Sequence, residues 1–147
     1  MCSIITIARQ AQDRIRQQAE QCYPQECVGL LLGYRAGEQV HIEYAYAAEN
    51  AAVEPQAHFL LLPSSYLQAD RWAHTHGVEI VGIYHSHPDQ AAQPSASDLR
   101  GIYESGTGYL YCIQSIFSGQ ATALAAWIVK ETLEIVSCEY VITSKPG

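Results

Sequence analysis

Two neighbouring runs, Tyr84-His85-Ser86-His87-Pro88 and Pro94-Ser95-Ala96-Ser97-Asp98, concentrate the residues able to do chemistry. Alternate side chains of a strand share a face, so on an extended segment His85 and His87 project together and can reach one ion. Pro88 has no N–H to donate, which suits a strand end opening into a loop. Asp98 lies eleven residues beyond His87, far enough to return as a third ligand from the first turn of a following helix. Two histidines and one carboxylate, with a position left for water, make a catalytic zinc pattern; structural zinc usually takes four protein ligands, often cysteine.

Each element also has a plainer explanation. His74-Thr75-His76 repeats the same spacing, but in a helical context neighbours two apart point roughly 200° apart, from about 3.6 residues per turn. That pair is therefore read as surface residues near a helix C-terminus, where positive charge is tolerated. Ser95-x-x-Asp98 is equally a capping box, in which hydroxyl and carboxylate satisfy free backbone N–H groups. Ser95 could cap and still offer its hydroxyl to a substrate, whereas capping and metal binding compete for Asp98. Glu26 stands between the Pro24 break and an apolar run. It is either a solvated loop residue or the base that hydrolysis by metal-activated water requires, and local sequence does not favour it over Glu79 or Glu104.

The elements that must position these groups follow from patterning. Ile7, Ala11, Ile15, Ala19 and Cys22 recur at helical spacing, and Tyr23-Pro24 ends that helix. Cys27 to Tyr34 is an apolar run of strand length, turned by Arg35-Ala36-Gly37-Glu38 into a return strand from Val40 to Ala47. Glu49 to Gln56 reads as loop and His58 to Leu62 as a further strand. Pro63-Ser64-Ser65 opens a helix that Gly77 stops. Val78 to His87 reads as a strand, Pro88 to Pro94 as loop and Ser95 to Ser105 as a short helix. Strands are expected at Tyr109–Phe117, Ala121–Lys130 and Leu133–Ile142, and the last four residues, Ser144 to Gly147, are expected to fray. The order predicts an α+β fold, a sheet with helices packed on it.

Composition limits the function classes. The 147 residues are 48% hydrophobic and 16% charged, with eight Lys plus Arg against fifteen Asp plus Glu. Phosphate binding needs clustered cations, and the eight here are scattered, so nucleic acid is not an expected partner. No apolar run approaches the ~20 residues of a membrane span, and the start shows no secretory signal pattern. Five widely spread cysteines without a C-x-x-C pair suit reduced, buried thiols better than a disulfide framework. The expectation is one acidic, cytoplasmic domain over residues 1–147.

Taken together the residues resemble the JAMM (MPN+, JAB-domain) zinc metalloproteases, whose pattern is an upstream glutamate, His-Ser/Thr-His-Pro, a spacer and Ser-x-x-Asp. Glu26, His85-Ser86-His87-Pro88 and Ser95-Ala96-Ser97-Asp98 match it in full, and the likeness covers roughly residues 8–130. Pro24 to Gly33 is similar to the family's opening helix-to-strand junction, and Val81-Gly82-Ile83-Tyr84 to the strand leading into the histidines. The resemblance implies a central mixed sheet, partly barrel-like, flanked by helices, of the MPN/cytidine-deaminase-like kind. It implies one Zn²⁺ held by His85, His87 and Asp98 with a water as fourth ligand, Glu26 as general acid/base and Ser95 as oxyanion donor. It further implies hydrolysis of a peptide or isopeptide bond at the tail of a ubiquitin-like or sulfur-carrier protein, as in stand-alone prokaryotic members. Such a tail could add as a strand beside the active-site strand. The alternatives are a non-catalytic MPN-type scaffold, which typically lacks a ligand, and a zinc hydrolase of a small amide. The composition leaves a homodimer open.

Overall fold

The computed structural model describes residues 4–96, 98, 99 and 109–144. Its first element corrects one expectation. Ile5 and Ile7 are buried while Ile4 is exposed, a period-two pattern, and the segment is a strand, β1 (Ile4–Ala8). The helix begins only afterwards, as α1 (Arg9–Cys22), which buries Ala11, Ile15, Gln18 and Ala19. Ile7 falls at helical spacing from Ala11, but Ile4-Ile5-Thr6-Ile7 is wholly β-branched and so prefers the pleated conformation.

The remaining elements are β2 (Val28–Ala36), β3 (Gln39–Ala48), α2 (Pro63–Thr75), β4 (Glu79–Pro88), β5 (Leu110–Phe117), β6 (Gln120–Val129), β7 (Ile135–Cys138) and β8 (Tyr140–Thr143). Eight strands form one sheet in the order β7-β6-β5-β4-β2-β3-β1-β8. β4–β5, β1–β3 and β1–β8 are parallel and the other neighbours antiparallel, so the sheet is mixed. β7 and β8 are the two ends of that order, yet only Glu139 separates them in sequence. The ends must therefore curl round to meet, making a nearly closed barrel. The Tyr140 hydroxyl on β8 ties this seam by donating to the Leu124 carbonyl on β6 at 2.6 Å. The single strand expected over Leu133–Ile142 is thus two, because the chain crosses the seam at Glu139.

α1 packs on one face of the sheet, with Ile5, Ile7, Leu31, Ile42, Val81, Tyr84 and Cys112 beneath it. α2 covers the other face, over Leu30, Leu32, Ile80 and Ile83. Gly77, at φ +73°, ends the α2 connection in the left-handed conformation that glycine tolerates. His74 lies in the last turn of α2, and exposed His76 follows it, stacked on Trp72. They are not brought together as a metal pair. Cys27, Cys112 and Cys138 are buried, Cys22 is partly so, and all four are free thiols. No helix among the described residues is long and apolar enough to cross a membrane.

Two further expectations change. His58 to Leu62 is not a strand: the Asn50 side chain accepts from Leu60 N–H and donates to the His58 carbonyl, both at 3.0 Å, and Ala51 N–H donates to the Leu60 carbonyl. Local partners thus satisfy the groups a ladder would use. β4 is interior, paired with β2 on one side and β5 on the other, so no tail can add beside the strand that carries the histidines. Of the helix expected over Ser95 to Ser105, Ala96, Asp98 and Leu99 are helical. Positions 97 and 100–105 lie outside the described residues, as does the tail beyond Ser144.

Candidate metal centre

His85 and His87 occupy alternate positions near the end of β4 and both are buried. They continue the face on which Ile83 packs against α2, because Leu30 pairs with Ile83 and Val28 with His85. Ser86 points the opposite way and locks the junction. Its N–H donates to the Cys27 carbonyl at 3.1 Å, and its Oγ accepts from Cys27 N–H at 2.8 Å. This doubly bonded pair extends the antiparallel register past Val28 and so carries Glu26 to the histidine end of β4.

Glu26 is only 5% exposed. Its Oε1 stands 3.6 Å from His85 Nδ1 and has no hydrogen-bond partner among the described residues. Its main chain is gripped on both sides: Glu26 N–H donates to the Pro55 carbonyl at 2.7 Å, and Asn50 Nδ2 donates to the Glu26 carbonyl at 2.9 Å. The loop pinned by Asn50 also lays Phe59 over His85, rings stacked with centroids 4.5 Å apart. Asn50 and Phe59 belong to the site although sequence reading passed over them. The available signal was an asparagine at the end of an alternating strand, a residue that organises turns through its side chain.

Asp98 reaches the same point from the other side. Its Oδ2 lies 2.8 Å from His87 Nε2 and 3.6 Å from His85 Nε2. The capping box forms as well: Asp98 N–H donates to Ser95 Oγ at 3.2 Å, and Ser95 N–H donates to Asp98 Oδ2 at 2.9 Å. Capping, expected to compete with ligation, uses the same oxygen that faces the histidines, and a carboxylate oxygen has lone pairs for a cap and a further partner. The Ala91 carbonyl, 2.9 Å from His87 Nδ1, accepts that N–H and so leaves Nε2 as the ring nitrogen that faces Asp98. Around this, Ser115 Oγ donates to the Gln90 carbonyl at 2.7 Å and Trp127 Nε1 to the Ala92 carbonyl at 3.1 Å, fixing the loop that follows β4.

The donor set fits a tetrahedral cation. Ligands at about 2.0–2.1 Å from zinc lie roughly 3.3 Å from one another, and the Asp98 distances of 2.8 and 3.6 Å straddle that value. One donor atom from each of His85, His87 and Asp98 falls within 4.8 Å of the others. A buried carboxylate oxygen without a partner beside them is the feature a bound ion and its water would satisfy. Burial alone would lower the His87 pKa, but the Asp98 carboxylate, with the Ala91 carbonyl and Glu26, leaves it raised. Burial would raise Asp98, yet the His87 hydrogen bond, the His85 charge and the Ser95 N–H bring it down to about 2.

A stability profile of the metal-free protein follows from these directions. The His87 contribution is fully present below its ordinary value near 6.5 and is lost as pH rises through the raised value. The Asp98 contribution is present above its ordinary ~3.9 and is lost as pH falls through about 2. Chelator-treated protein is therefore expected to melt highest between roughly pH 4 and 6.5, and Asp98→Asn to flatten the acid side. Thermal melts across pH 2–8 read this directly.

Comparison with known proteins agrees with the geometry. The family described as prokaryotic homologs of the JAB domain matches residues 8–139. The chain is 32% identical over 114 residues to a desampylase from Haloferax volcanii, covering 75% of this chain and 81% of that protein. It is 35% identical over 86 residues to tail tip assembly protein K of Escherichia phage N15, covering 58% of this chain but only 31% of the phage protein. Among solved structures, protein DSY2949 from Desulfitobacterium hafniense superposes with a TM-score of 0.84 at 26% identity, over 97% of this chain and 94% of that one. AF2198, a JAB1/MPN domain protein from Archaeoglobus fulgidus, shares the fold at a TM-score of 0.57 and 19% identity, over 92% of this chain and 98% of that one. A barrel-like mixed sheet that buries His85, His87 and Asp98 together, in a sequence matched over nearly its whole length, makes this chain a member of the prokaryotic JAB-domain family.

Proposed function

We propose that the chain is a zinc-dependent hydrolase that cuts a peptide or isopeptide bond at the C-terminal tail of a ubiquitin-like or sulfur-carrier protein, acting as a single catalytic domain in the cytoplasm. The observation that carries the reading is the buried Glu26 oxygen without a partner, 3.6 Å from His85, beside the His85, His87 and Asp98 donors. Its likeness to a desampylase supports a substrate of the ubiquitin-like class.

His85 Nε2, His87 Nε2 and an Asp98 carboxylate oxygen would hold the ion. When bound, zinc supplies a water acidified to a pKa near 7 and a Lewis acid for the scissile carbonyl. Glu26 takes the proton from the attacking water and hands it to the departing amine. Burial keeps this carboxylate away from bulk water, and the two backbone bonds to Pro55 and Asn50 keep it aimed. The Ser95 hydroxyl, which accepts from Asp98 N–H, would donate its own proton to the tetrahedral oxyanion. Such a donor is typically worth about 3 kcal/mol of barrier. Phe59, stacked on His85, holds the imidazole ring in place.

The test is cleavage of a small ubiquitin-like protein whose terminal Gly-Gly is followed by a short extension, read by mass spectrometry. Native protein is expected to trim the extension. Chelated protein and Asp98→Asn are expected to fail, with bound zinc falling from one per chain to near zero by elemental analysis. Cleavage that persists without metal would overturn the reading.

A further inference from the structure

The sheet has an empty place beside β3. β1 runs parallel to β3 only from Ile4↔Gln39 to Ile7↔Ile42, and then the chain leaves the sheet as α1. Beyond that point β3 pairs, among the described residues, on one side alone, with β2. The ladder fixes which main-chain groups this leaves over. Ser86 N–H bonds the Cys27 carbonyl, so Cys27, Gly29 and Leu31 turn toward β4. Val28, Leu30 and Leu32 then turn toward Ala48, Tyr46 and Tyr44. Ala45 and Ala47 face away from the sheet, and no hydrogen bond from another described residue closes on them.

A cavity of about 350 Å³ occupies this place, lined by Gln10 and Arg14 of α1, residues 44–47 of β3 and Trp72 of α2. Its lower end is closed by Gln10, whose Nε2 donates to the Glu43 carbonyl and to Glu43 Oε2. Its two walls differ. Trp72, with Tyr44 and Tyr46 in ring contact, makes an aromatic wall on the α2 side. Arg14, which forms no ion pair among the described residues, supplies a cation on the α1 side.

We propose that this slot docks an extended, acidic stretch of the protein whose tail the metal centre cuts, added as a ninth strand along β3. The inference deepens the tail-hydrolase reading and rests on it for the identity of the occupant. Main-chain bonds to Ala45 and Ala47 give affinity. A strand presents alternate residues to opposite faces, so acidic residues meet Arg14 while apolar ones meet Trp72. The slot opens at Ala48, level with Val28 and His85. Three strand spacings of about 4.8 Å put the occupant ~14 Å from β4, which some five residues at ~3.3 Å each can span. The slot can thus hold a substrate upstream of the scissile bond without entering the metal centre.

The test uses full-length, chelator-treated protein and two labelled, end-capped octapeptides, one alternating valine with glutamate and one valine with lysine. The glutamate peptide is expected to bind, with slowed amide exchange at Ala45 and Ala47 and a shifted Trp72 indole resonance. Arg14→Glu is expected to bind it at least tenfold more weakly and to prefer the lysine peptide. Absence of binding to native protein, unchanged binding to Arg14→Glu, or perturbations confined to other residues would each overturn the slot. So would concentration-dependent self-association that Arg14→Glu abolishes, since the occupant would then be a second copy. No arm involves hydrolysis, so a failed slot leaves the metal-centre reading standing, and an inert metal centre with a working slot removes only the hydrolase.

Discussion

Glu26→Gln is expected to abolish tail hydrolysis while leaving the fold and the metal content unchanged. The amide keeps the size and the buried position of the carboxylate, 5% exposed beside His85, but it cannot take a proton from water at neutral pH. General acid–base catalysis contributes about 10²–10⁴-fold, and this one group serves both the attack and the departure of the amine. A fall in kcat of some 10³-fold is therefore expected, with KM little altered because Glu26 does not bind the tail. Of the alternatives that sequence left open, Glu79 opens β4 six residues before His85, about 20 Å away along an extended strand, and it is exposed. Glu104 lies outside the described residues. Turnover of Glu26→Gln at the native rate, with zinc still bound, would remove Glu26 from the mechanism and leave the site without a base. A matching loss of zinc would instead show that the carboxylate helps hold the ion.

Much of this site was legible because its parts obey local periodicities. The i, i+2 histidines sit on a strand whose alternation aims both one way, and Ser95-x-x-Asp98 sits at a helix start whose geometry returns the carboxylate. The oxygen that caps the helix is also the one that faces His87, so the capping box forms without turning the Asp98 carboxylate away from the histidines. What was not legible depends on contacts far apart in sequence. Nothing near Asn50 announces that its side chain will meet the Glu26 carbonyl, 24 residues earlier. His58 to Leu62 carries a strand's composition, yet a side chain supplies the bonds that another strand would have offered. Likewise the seam at Glu139 exists only because eight strands close on themselves, a property of the whole sheet rather than of Leu133–Ile142.

Gly29→Val is expected to unfold the protein at far lower denaturant, at a cost of roughly 3 kcal/mol or more. Gly29 pairs with Tyr84 across β2 and β4, and the Tyr84 ring lies directly over its Cα, where any Cβ would overlap the ring carbons and the hydroxyl. The ring cannot yield cheaply. It is fully buried, and its hydroxyl donates to Gln18 Oε1, while Gln18 Nε2 donates to the Val28 carbonyl at 3.1 Å. Displacing it strands two buried polar groups and forces an overpacked core, each worth about 1–3 kcal/mol, in a domain class stable by only about 5–15 kcal/mol. Because Tyr84 directly precedes His85, the milder Gly29→Ala is expected to weaken zinc binding as well as stability. The double variant Gly29→Ala/Tyr84→Leu separates this account from a simple loss of glycine flexibility. If the ring is the obstacle, shortening it relieves the alanine, and the pair costs at least 1 kcal/mol less than the sum of the single changes, above the ~0.5 kcal/mol scatter of independent sites. Strict additivity in urea midpoints would mean that the Gly29 backbone, not the Tyr84 ring, sets the requirement.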